Sequence, residues 1–336
     1  MRRTLTVVIP VYNEEGWILG TIADAASAAL RTPDLDVDIV VVDDGSTDRT
    51  TGVIMESPDA GVPVRVVAQP NAGRHAARRR GLNAATGELV LFLDSRVSIL
   101  PDSLVFVANR LEQDSDDDVW NAHVVIETRG NPYGVFWNVL TEIAFAEYFS
   151  NPRTTSFGLD RFEAFPKGTT CFLAPRELLL DTFGAHQSYY KDPRHANDDT
   201  PMIRRIAERH SIGISPEFAC VYRPRERLRP FFKHAFHRGI VFLDGHGRRG
   251  ARLLPAVVAF YPISVLLLIA VIVRPWVGPA ALAILVACAA CLATAKHRSR
   301  SEITWFAVLA PVYGIAHGVG MWRGLSMAAT KRLRSA

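Results

Sequence analysis

Cysteine is scarce in this chain, with four in 336 residues. Cys171 and Cys220 stand in a mixed polar region, and Cys288 and Cys291 among small apolar residues. No disulfide framework is expected, and the second pair reads as helix-packing residues rather than metal ligands. Nothing requires an oxidising compartment. Both glycine-rich phosphate motifs are missing. No G-x-G-x-x-G follows the first β-rich run and no G-x-x-x-x-G-K-[ST] occurs, which excludes a dinucleotide fingerprint and a phosphate loop. There is no internal repeat and no low-complexity tract. The apolar run after Met1-Arg2-Arg3 stops at Pro10 without a small-residue cleavage site, so a signal peptide is not expected. Neither charge sign dominates, with 38 Lys and Arg against 34 Asp and Glu.

What is present is uneven along the chain. Residues 1–222 mix charged and apolar positions as a soluble domain does. Thr4–Ile9, Asp36–Val42, Val64–Ala68 and Leu89–Leu93 are short β-rich runs bounded by Gly, Pro or acidic clusters. Between them, Ile18–Leu30 and the basic stretch through Arg78, Arg79 and Arg80 carry helical spacing. Strand and helix in alternation, joined by short turns, predict a mostly parallel, doubly wound α/β sheet. Further on, Asp102–Gln113 predicts a helix and Val119–Thr128 a strand. Tyr133–Phe149 predicts an aromatic-rich helix or a lid over the sheet, and Lys167–Leu173 a glycine turn feeding a strand. Thr200 as N-cap and Pro201 at the first helical position mark another helix start. Asp198 and Asp199 then sit at its positive end. The acid-rich stretch Asp114–Asp118 reads as a solvated turn.

In an open α/β sheet, ligands bind beyond the carboxyl ends of the strands. Four polar clusters fall there: Pro10, Tyr12, Asn13 and Glu14 after the first strand, Asp43 and Asp44 after the second, Asn71 to Arg80 after the third, and Asp94 after the fourth. Carboxylates in such a crevice accept hydrogen bonds from a base N–H or ribose hydroxyls, while Arg neutralises phosphates. Without a glycine-rich loop, a nucleotide there is held by side chains.

Residues 223–252 hold nine Lys and Arg against Glu226 and Asp244. Leu228, Phe232, Phe236, Ile240 and Leu243 recur at spacings of three and four. A basic amphipathic helix beside an apolar span is expected to lie in a membrane interface rather than on nucleic acid. Three apolar stretches follow within 253–336, at 253–273, 277–295 and 303–322, each near the ~20 residues that cross a bilayer. The basic loop Lys296–Arg300, with Arg248, Arg249 and Arg252, predicts a cytoplasmic face for the ends of the first two spans. The third either crosses or, given Gly314, His317, Gly318 and Gly320, is re-entrant.

VVIPVYNEE at Val7–Glu15, VVDDGSTDRT at Val41–Thr50, NAGRHAARRRG at Asn71–Gly81, the strand-end Asp94, KGTTCFLAPRE at Lys167–Glu177 and NDDTPMIRRI at Asn197–Ile206 resemble, in this order, the motifs of family 2 glycosyltransferases. The resemblance covers roughly the first two-thirds of the chain. It implies a GT-A fold, Rossmann-like with a mostly parallel sheet, over residues 1–222. The interfacial segment 223–252 and a membrane domain 253–336 follow. It implies that Asp43, Asp44 and the Pro10–Glu14 segment, with Asn71 and Arg78, bind the nucleotide of a nucleotide-sugar, most naturally a UDP-sugar. Asp94 becomes the first carboxylate of a metal-binding D-x-D, with Mn²⁺ or Mg²⁺ as cofactor. Asp199 becomes the base that deprotonates the acceptor hydroxyl in an inverting displacement, with Asp198 beside it.

Two positions depart from the pattern. Arg96 occupies the third place of D-x-D and cannot ligate a metal. A +1 charge about 5 Å from a divalent ion costs about 7 kcal/mol at an effective dielectric of about 20. Arg96 is therefore expected to turn away, to pair with phosphate, or to take over part of a metal's role; His195 is a candidate second ligand. Where processive synthases carry Q-x-x-R-W, residues 234–239 read His234-Ala235-Phe236-His237-Arg238-Gly239, which argues against a polymerising synthase. The layout resembles succinoglycan-type glucosyltransferases. The expected protein is a multi-pass enzyme of the inner membrane, its catalytic domain cytoplasmic. It would move a hexose to a lipid-linked or cell-envelope glycan. The alternatives are a polyprenyl-phosphate sugar synthase of the dolichol-phosphate-mannose type and a non-catalytic membrane scaffold.

Overall fold

The structure, a computed structural model, describes residues 2–57, 59–184, 188–190, 192–195, 197, 199–247 and 251–333. In chain order the elements are β1 (Arg3–Val11), α1 (Ile18–Leu30), β2 (Leu35–Asp43), α2 (Thr50–Met55), β3 (Val64–Ala68), α3 (Arg74–Ala84), β4 (Leu89–Leu93), β5 (Val97–Ile99), α4 (Ser103–Gln113) and β6 (Trp120–Ile126). Then come α5 (Pro132–Ala144), α6 (Ala146–Phe149), β7 (Thr155–Phe157), β8 (Cys171–Pro175), α7 (Arg176–Gly184), α8 (Thr200–Ala207), β9 (Ile212–Tyr222), α9 (Leu228–His246), α10 (Leu254–Val273), α11 (Val277–Ala295) and α12 (Arg300–Leu333).

The contacts divide the chain into two compact units. The first holds residues 1–125, 147–187 and 198–223; the second holds 126–146, 188–197 and 224–336. The sequence placed all of 1–222 in one continuous domain, so two inserted pieces, one carrying α5, are grouped differently. The reason is visible in α5. Phe136 and Trp137 face Phe231 of α9, and Phe136 stacks on Phe306 of α12 at 5.3 Å between ring centroids. The aromatic stretch is thus two helices: α5 packs in the second unit's core, while Tyr148 and Phe149 of α6 pack in a core of the first unit.

The first unit is a mixed sheet in the order β3-β2-β1-β4-β8-β6-β9-β5, with β7 beside β9. β3, β2, β1 and β4 run parallel. β8 pairs antiparallel with β4 and β6, and β9 antiparallel with β5 and β7. Every side chain of β4 is fully buried, which is why Leu89–Leu93 is apolar throughout instead of alternating: a central parallel strand is covered on both faces. Successive residues point to opposite faces. Val7, Ile9, Leu89 and Leu91 join α1 and α4 in one core, while Val8, Val90 and Phe92 join α3, α7 and α8 in the other. The chain runs outward from β1 to β3, then returns to place β4 on the other side of β1. The reversal lies between β1 and β4, and the strand ends at Val11 and Leu93 open onto it.

In the second unit, α10, α11 and a 31-residue stretch of α12 are long and apolar enough to cross a membrane. Large side chains such as Leu266, Ile272 and Ile284 are more than 60% exposed, a surface that hydrocarbon suits and water does not. α12 is one unbroken helix of 34 residues, about 51 Å at 1.5 Å per residue, so no re-entrant break occurs near Gly314–Gly320. Its glycines serve contact instead. A Cβ on Gly320 would fall 2.1 Å from the Phe236 carbonyl oxygen, and one on Gly239 of α9 would fall 2.0 Å from the His317 carbonyl oxygen. The two backbones touch there, as small residues permit. The buried face of α9 is therefore Phe231, Ala235, Gly239, Ile240 and Asp244. Leu228 and Phe232, on the apolar face that the spacing predicts for a membrane interface, are exposed.

Candidate active site

The crevice between β1 and β4 is built by loops that hydrogen-bond one another. Asn13 leaves β1 in the left-handed conformation, with φ at 54°. Its amide donates to Ser46 Oγ at 3.0 Å, and its Oδ1 accepts from the Thr47 amide at 2.7 Å. The Glu14 amide donates to Thr50 Oγ1 at 2.9 Å. Asp43, at the end of β2, accepts from the Ser46 amide at 2.9 Å and from the Thr51 hydroxyl. Asp44 accepts from Gln69 Nε2 and from the amides of Ala72 and Gly73, at 2.7 to 2.9 Å. It thereby ties the turn after Asn71 to β2 and aims the start of α3 at the crevice. Both carboxylates are buried, yet a carboxylate has about four lone-pair sites, so each keeps acceptor capacity. Pro10 is buried in the sheet, while Tyr12 and Asn71 are exposed at the rim.

Asp94 and Arg96 go opposite ways. Asp94 Oδ1 takes a charge-assisted hydrogen bond from Arg78 Nη2 at 2.5 Å, with the Arg78 side chain 1% and Asp94 21% exposed. Arg96 Nη1 pairs with Glu14 Oε2 at 3.3 Å, and its Nε donates to the Arg223 carbonyl oxygen at 3.0 Å. Its guanidinium lies over the Trp17 ring at 4.5 Å, with Arg223 5.7 Å from that ring. The motifs did not point to Trp17 or Arg223. Trp17 stands just before α1 and Arg223 just after β9, and nothing in the sequence marks two such distant positions as neighbours.

Asp199 is the N-cap of α8, one residue earlier than expected, and makes no side-chain hydrogen bond to the helix. Asp198 lies outside the described residues. Asp199 faces the glycine turn before β8: a Cβ on Gly168 would fall 3.7 Å from Asp199 Oδ2. Two residues on, the Thr170 carbonyl oxygen accepts from the Asp94 amide at 2.9 Å. One turn thus neighbours both acids. It is held by Asn121 Oδ1, which accepts from the Gly168 amide at 3.1 Å. Lys167 Nζ donates to the carbonyl oxygens of Phe162 and Phe165. Burial pushes the Lys167 ammonium down to about 8, opposed by Glu163 and reinforced by Arg204. Arg204 of α8 pairs with Glu163 and lies over Phe162 at 4.4 Å, locking α8 to the same turn.

Among the described residues no group of three or more His, Cys, Asp or Glu is gathered. Asp94 is paired with Arg78, and the third D-x-D position, Arg96, is a cation. His195 belongs to the second unit, with its ring 5.9 Å from His237. Burial lowers its pKa, with Arg194 and Arg323 adding to the effect and Asp192 opposing it. Among the described residues, this donor set does not fit a divalent ion held by protein side chains alone.

The model of glycosyl transferase family 2 matches residues 6–183. Glycosyltransferase GlyA of Streptococcus pneumoniae serotype 4 is 29% identical over 148 residues, 44% of this chain and 20% of that protein. The undecaprenyl-phosphate 4-deoxy-4-formamido-L-arabinose transferase of Pseudomonas paraeruginosa is 35% identical over 114 residues, 33% of each chain. The chain therefore matches a fifth to a third of the length of these curated relatives. The mannosyltransferase PcManGT of Pyrobaculum calidifontis, solved in complex with GDP-Man and Mn²⁺, superposes with a TM-score of 0.56 at 22% identity. The superposition covers 96% of this chain and 88% of that one. The likeness is one of fold, the GT-A arrangement of a mostly parallel sheet with flanking helices. With more than half of its length matched by the family model, the chain belongs to glycosyl transferase family 2.

Proposed function

We propose that the protein is a membrane-anchored inverting hexosyltransferase. It takes a hexose from a nucleotide-sugar, in this reading a UDP-sugar, and passes it to a lipid-linked glycan at the bilayer surface. The observation that carries this is the placement of Asp199 beside the turn that also holds Asp94. A carboxylate at a helix N-terminus, next to the strand-end acid of a nucleotide crevice, is suited to deprotonate an acceptor hydroxyl. Asp199 takes the acceptor proton as the acceptor oxygen bonds to the anomeric carbon, and the bond from that carbon to the diphosphate breaks with inversion. Asp43, Asp44 and the Pro10–Glu14 loop hold the nucleoside.

The leaving diphosphate needs its charge met. Asp94, Glu14, Arg78 and Arg96 form two ion pairs with no net charge. An arginine in place of a carboxylate shifts the local charge by two units, as much as a divalent ion brings. In this reading Arg78 and Arg96 supply that charge, and the requirement for added metal is weak. The three apolar helices support a membrane location, with the catalytic unit on the cytoplasmic face of the inner membrane.

A second reading has one specific support: the Pseudomonas paraeruginosa relative is named as an undecaprenyl-phosphate sugar transferase. There the acceptor is a polyprenyl phosphate itself. Membranes carrying the protein, incubated with radiolabelled nucleotide-sugars and extracted for lipid, separate the two. Label on bare polyprenyl phosphate supports the second reading, and label only on a preformed glycolipid supports the first.

A further inference from the structure

Arg223 follows β9 directly and stands against Arg96. Val97 of β5 pairs antiparallel with Tyr222, so the two arginines meet just beyond the end of that ladder. The Arg223 amide donates to the Arg96 carbonyl oxygen at 3.0 Å, and Arg96 Nε donates to the Arg223 carbonyl oxygen at 3.0 Å. Both side chains then reach one ring. The guanidinium carbon of Arg96 lies 4.5 Å and that of Arg223 5.7 Å from the centroid of Trp17, each within the roughly 6 Å over which an aromatic face attracts a cation. Trp17 is placed by the loop after β1, its amide donating to the Glu14 carbonyl oxygen at 2.9 Å. Glu14, Trp17, Arg96 and Arg223 all belong to the first unit.

Two guanidinium groups on one ring repel each other, and their charges are not equally met. Arg96 is paired with Glu14, as Arg78 is with Asp94. Arg223 is partly exposed and forms no ion pair among the described residues. We propose that Arg223 is a donor-binding residue: its guanidinium takes a phosphate oxygen of a nucleoside diphosphate in the crevice between β1 and β4, with Trp17 holding it there. This rests on the reading of that crevice as a nucleotide-sugar site. The placement is close to the crevice on both sides. Glu14 and Trp17 lie in the loop leaving β1, and Arg96 comes two residues after Asp94 at the end of β4. The pairs Asp94–Arg78 and Glu14–Arg96 cancel, so Arg223 brings a positive charge that an arriving diphosphate does not have to draw away from a carboxylate. A bound anion also relieves the repulsion between the two guanidinium groups. Arginine suits the task because its planar fork bonds phosphate through two N–H groups.

The test uses the full chain in detergent, with Arg223→Gln, Arg223→Lys and Trp17→Leu. Both bonds between Arg223 and Arg96 use the main chain of residue 223, so a substitution there leaves them in place. The probes are uridine, UMP and UDP, with guanosine, GMP and GDP as a second series, and their dissociation constants are measured by calorimetric titration. Arg223→Gln is expected to bind the preferred diphosphate about tenfold to hundredfold more weakly, the range of a lost hydrogen bond to a charged group, and the matching nucleoside as the wild type does. Arg223→Lys should recover part of the loss, and Trp17→Leu should weaken the diphosphate more than the nucleoside. A diphosphate affinity in Arg223→Gln within about twofold of the wild type overturns the proposal. An equal loss for nucleoside and diphosphate does the same, because it marks a general disturbance of the crevice. A raised KM for polyprenyl phosphate with diphosphate affinity unchanged assigns the charge to the acceptor and also overturns it. A wild type that binds neither series overturns the nucleotide reading itself, whereas a wild type that binds one and a variant that binds it equally well overturn only the role of Arg223.

Discussion

Asp94 at the end of β4 is ion-paired with Arg78 of α3 at 2.5 Å, and the arginine is the more buried partner. The acid that would begin a metal-binding pair is thus neutralised by a fixed cation, and Arg96, two residues on, is occupied with Glu14. We therefore expect transfer activity in EDTA to stay within about tenfold, a change of about 1.4 kcal/mol, of activity in Mg²⁺ or Mn²⁺. Transfer rates measured across chelator and metal concentrations check this.

Restoring a carboxylate should reverse that behaviour. Arg96→Asp combined with Glu14→Gln removes the cation without leaving two facing acids. The double variant is predicted to lose most activity in EDTA and regain it with Mn²⁺, read as the ratio of rates with and without metal.

Lys167 imposes a pH dependence on stability. Its pKa is lowered in the folded chain to about 8, from an ordinary value of 10.5. Between those values the unfolded chain binds more protons, so stability from this group rises with pH from about 8 to about 10.5. Below pH 8 the ammonium is held at a disadvantage. Lys167→Met should flatten this part of the profile, measured as the unfolding midpoint against pH, because the alkyl stem's packing remains and the titrating group is gone.

The contact between α9 and α12 leaves no room for a side chain. Gly239→Ala and Gly320→Ala each put a methyl about 2 Å from a carbonyl oxygen of the facing helix. Overpacking of this kind costs about 1–3 kcal/mol. Each variant should lower the thermal midpoint in detergent, whereas Gly130→Ala should not act through crowding, since a Cβ there meets nothing within 4 Å. The Gly130→Ala comparison has its own strain, because Gly130 has φ at 67°, so it reports that backbone term separately.

The parallel half of the sheet was legible because strands covered on both faces must be continuously apolar, as Leu89–Leu93 is. The antiparallel half was less so. β9 contains Pro216 and Glu217 and β7 has three residues, so neither carries a strong period. The packed face of α9 left no signal for a related reason. Its partner is another helix met at Gly239, and glycine and alanine leave no trace in a hydrophobic pattern. The motifs drew Asp94, Arg78, Arg96 and Glu14 toward one crevice. They did not tell which acid pairs with which base, because that depends on the facing of α3 and on the turn at Ser95, whose carbonyl oxygen is held by Thr21 Oγ1 at 3.0 Å.

The central claim is that Asp199 is the base of a sugar transfer to a membrane acceptor. Membranes carrying the wild type or Asp199→Asn, given a panel of radiolabelled nucleotide-sugars, test it by label recovered in the lipid fraction. The account predicts transfer from one donor by the wild type and a loss of about 10²–10⁴-fold in the variant, the usual contribution of a general base, with donor binding retained. Equal transfer by the two proteins, or no transfer from any donor, would contradict it.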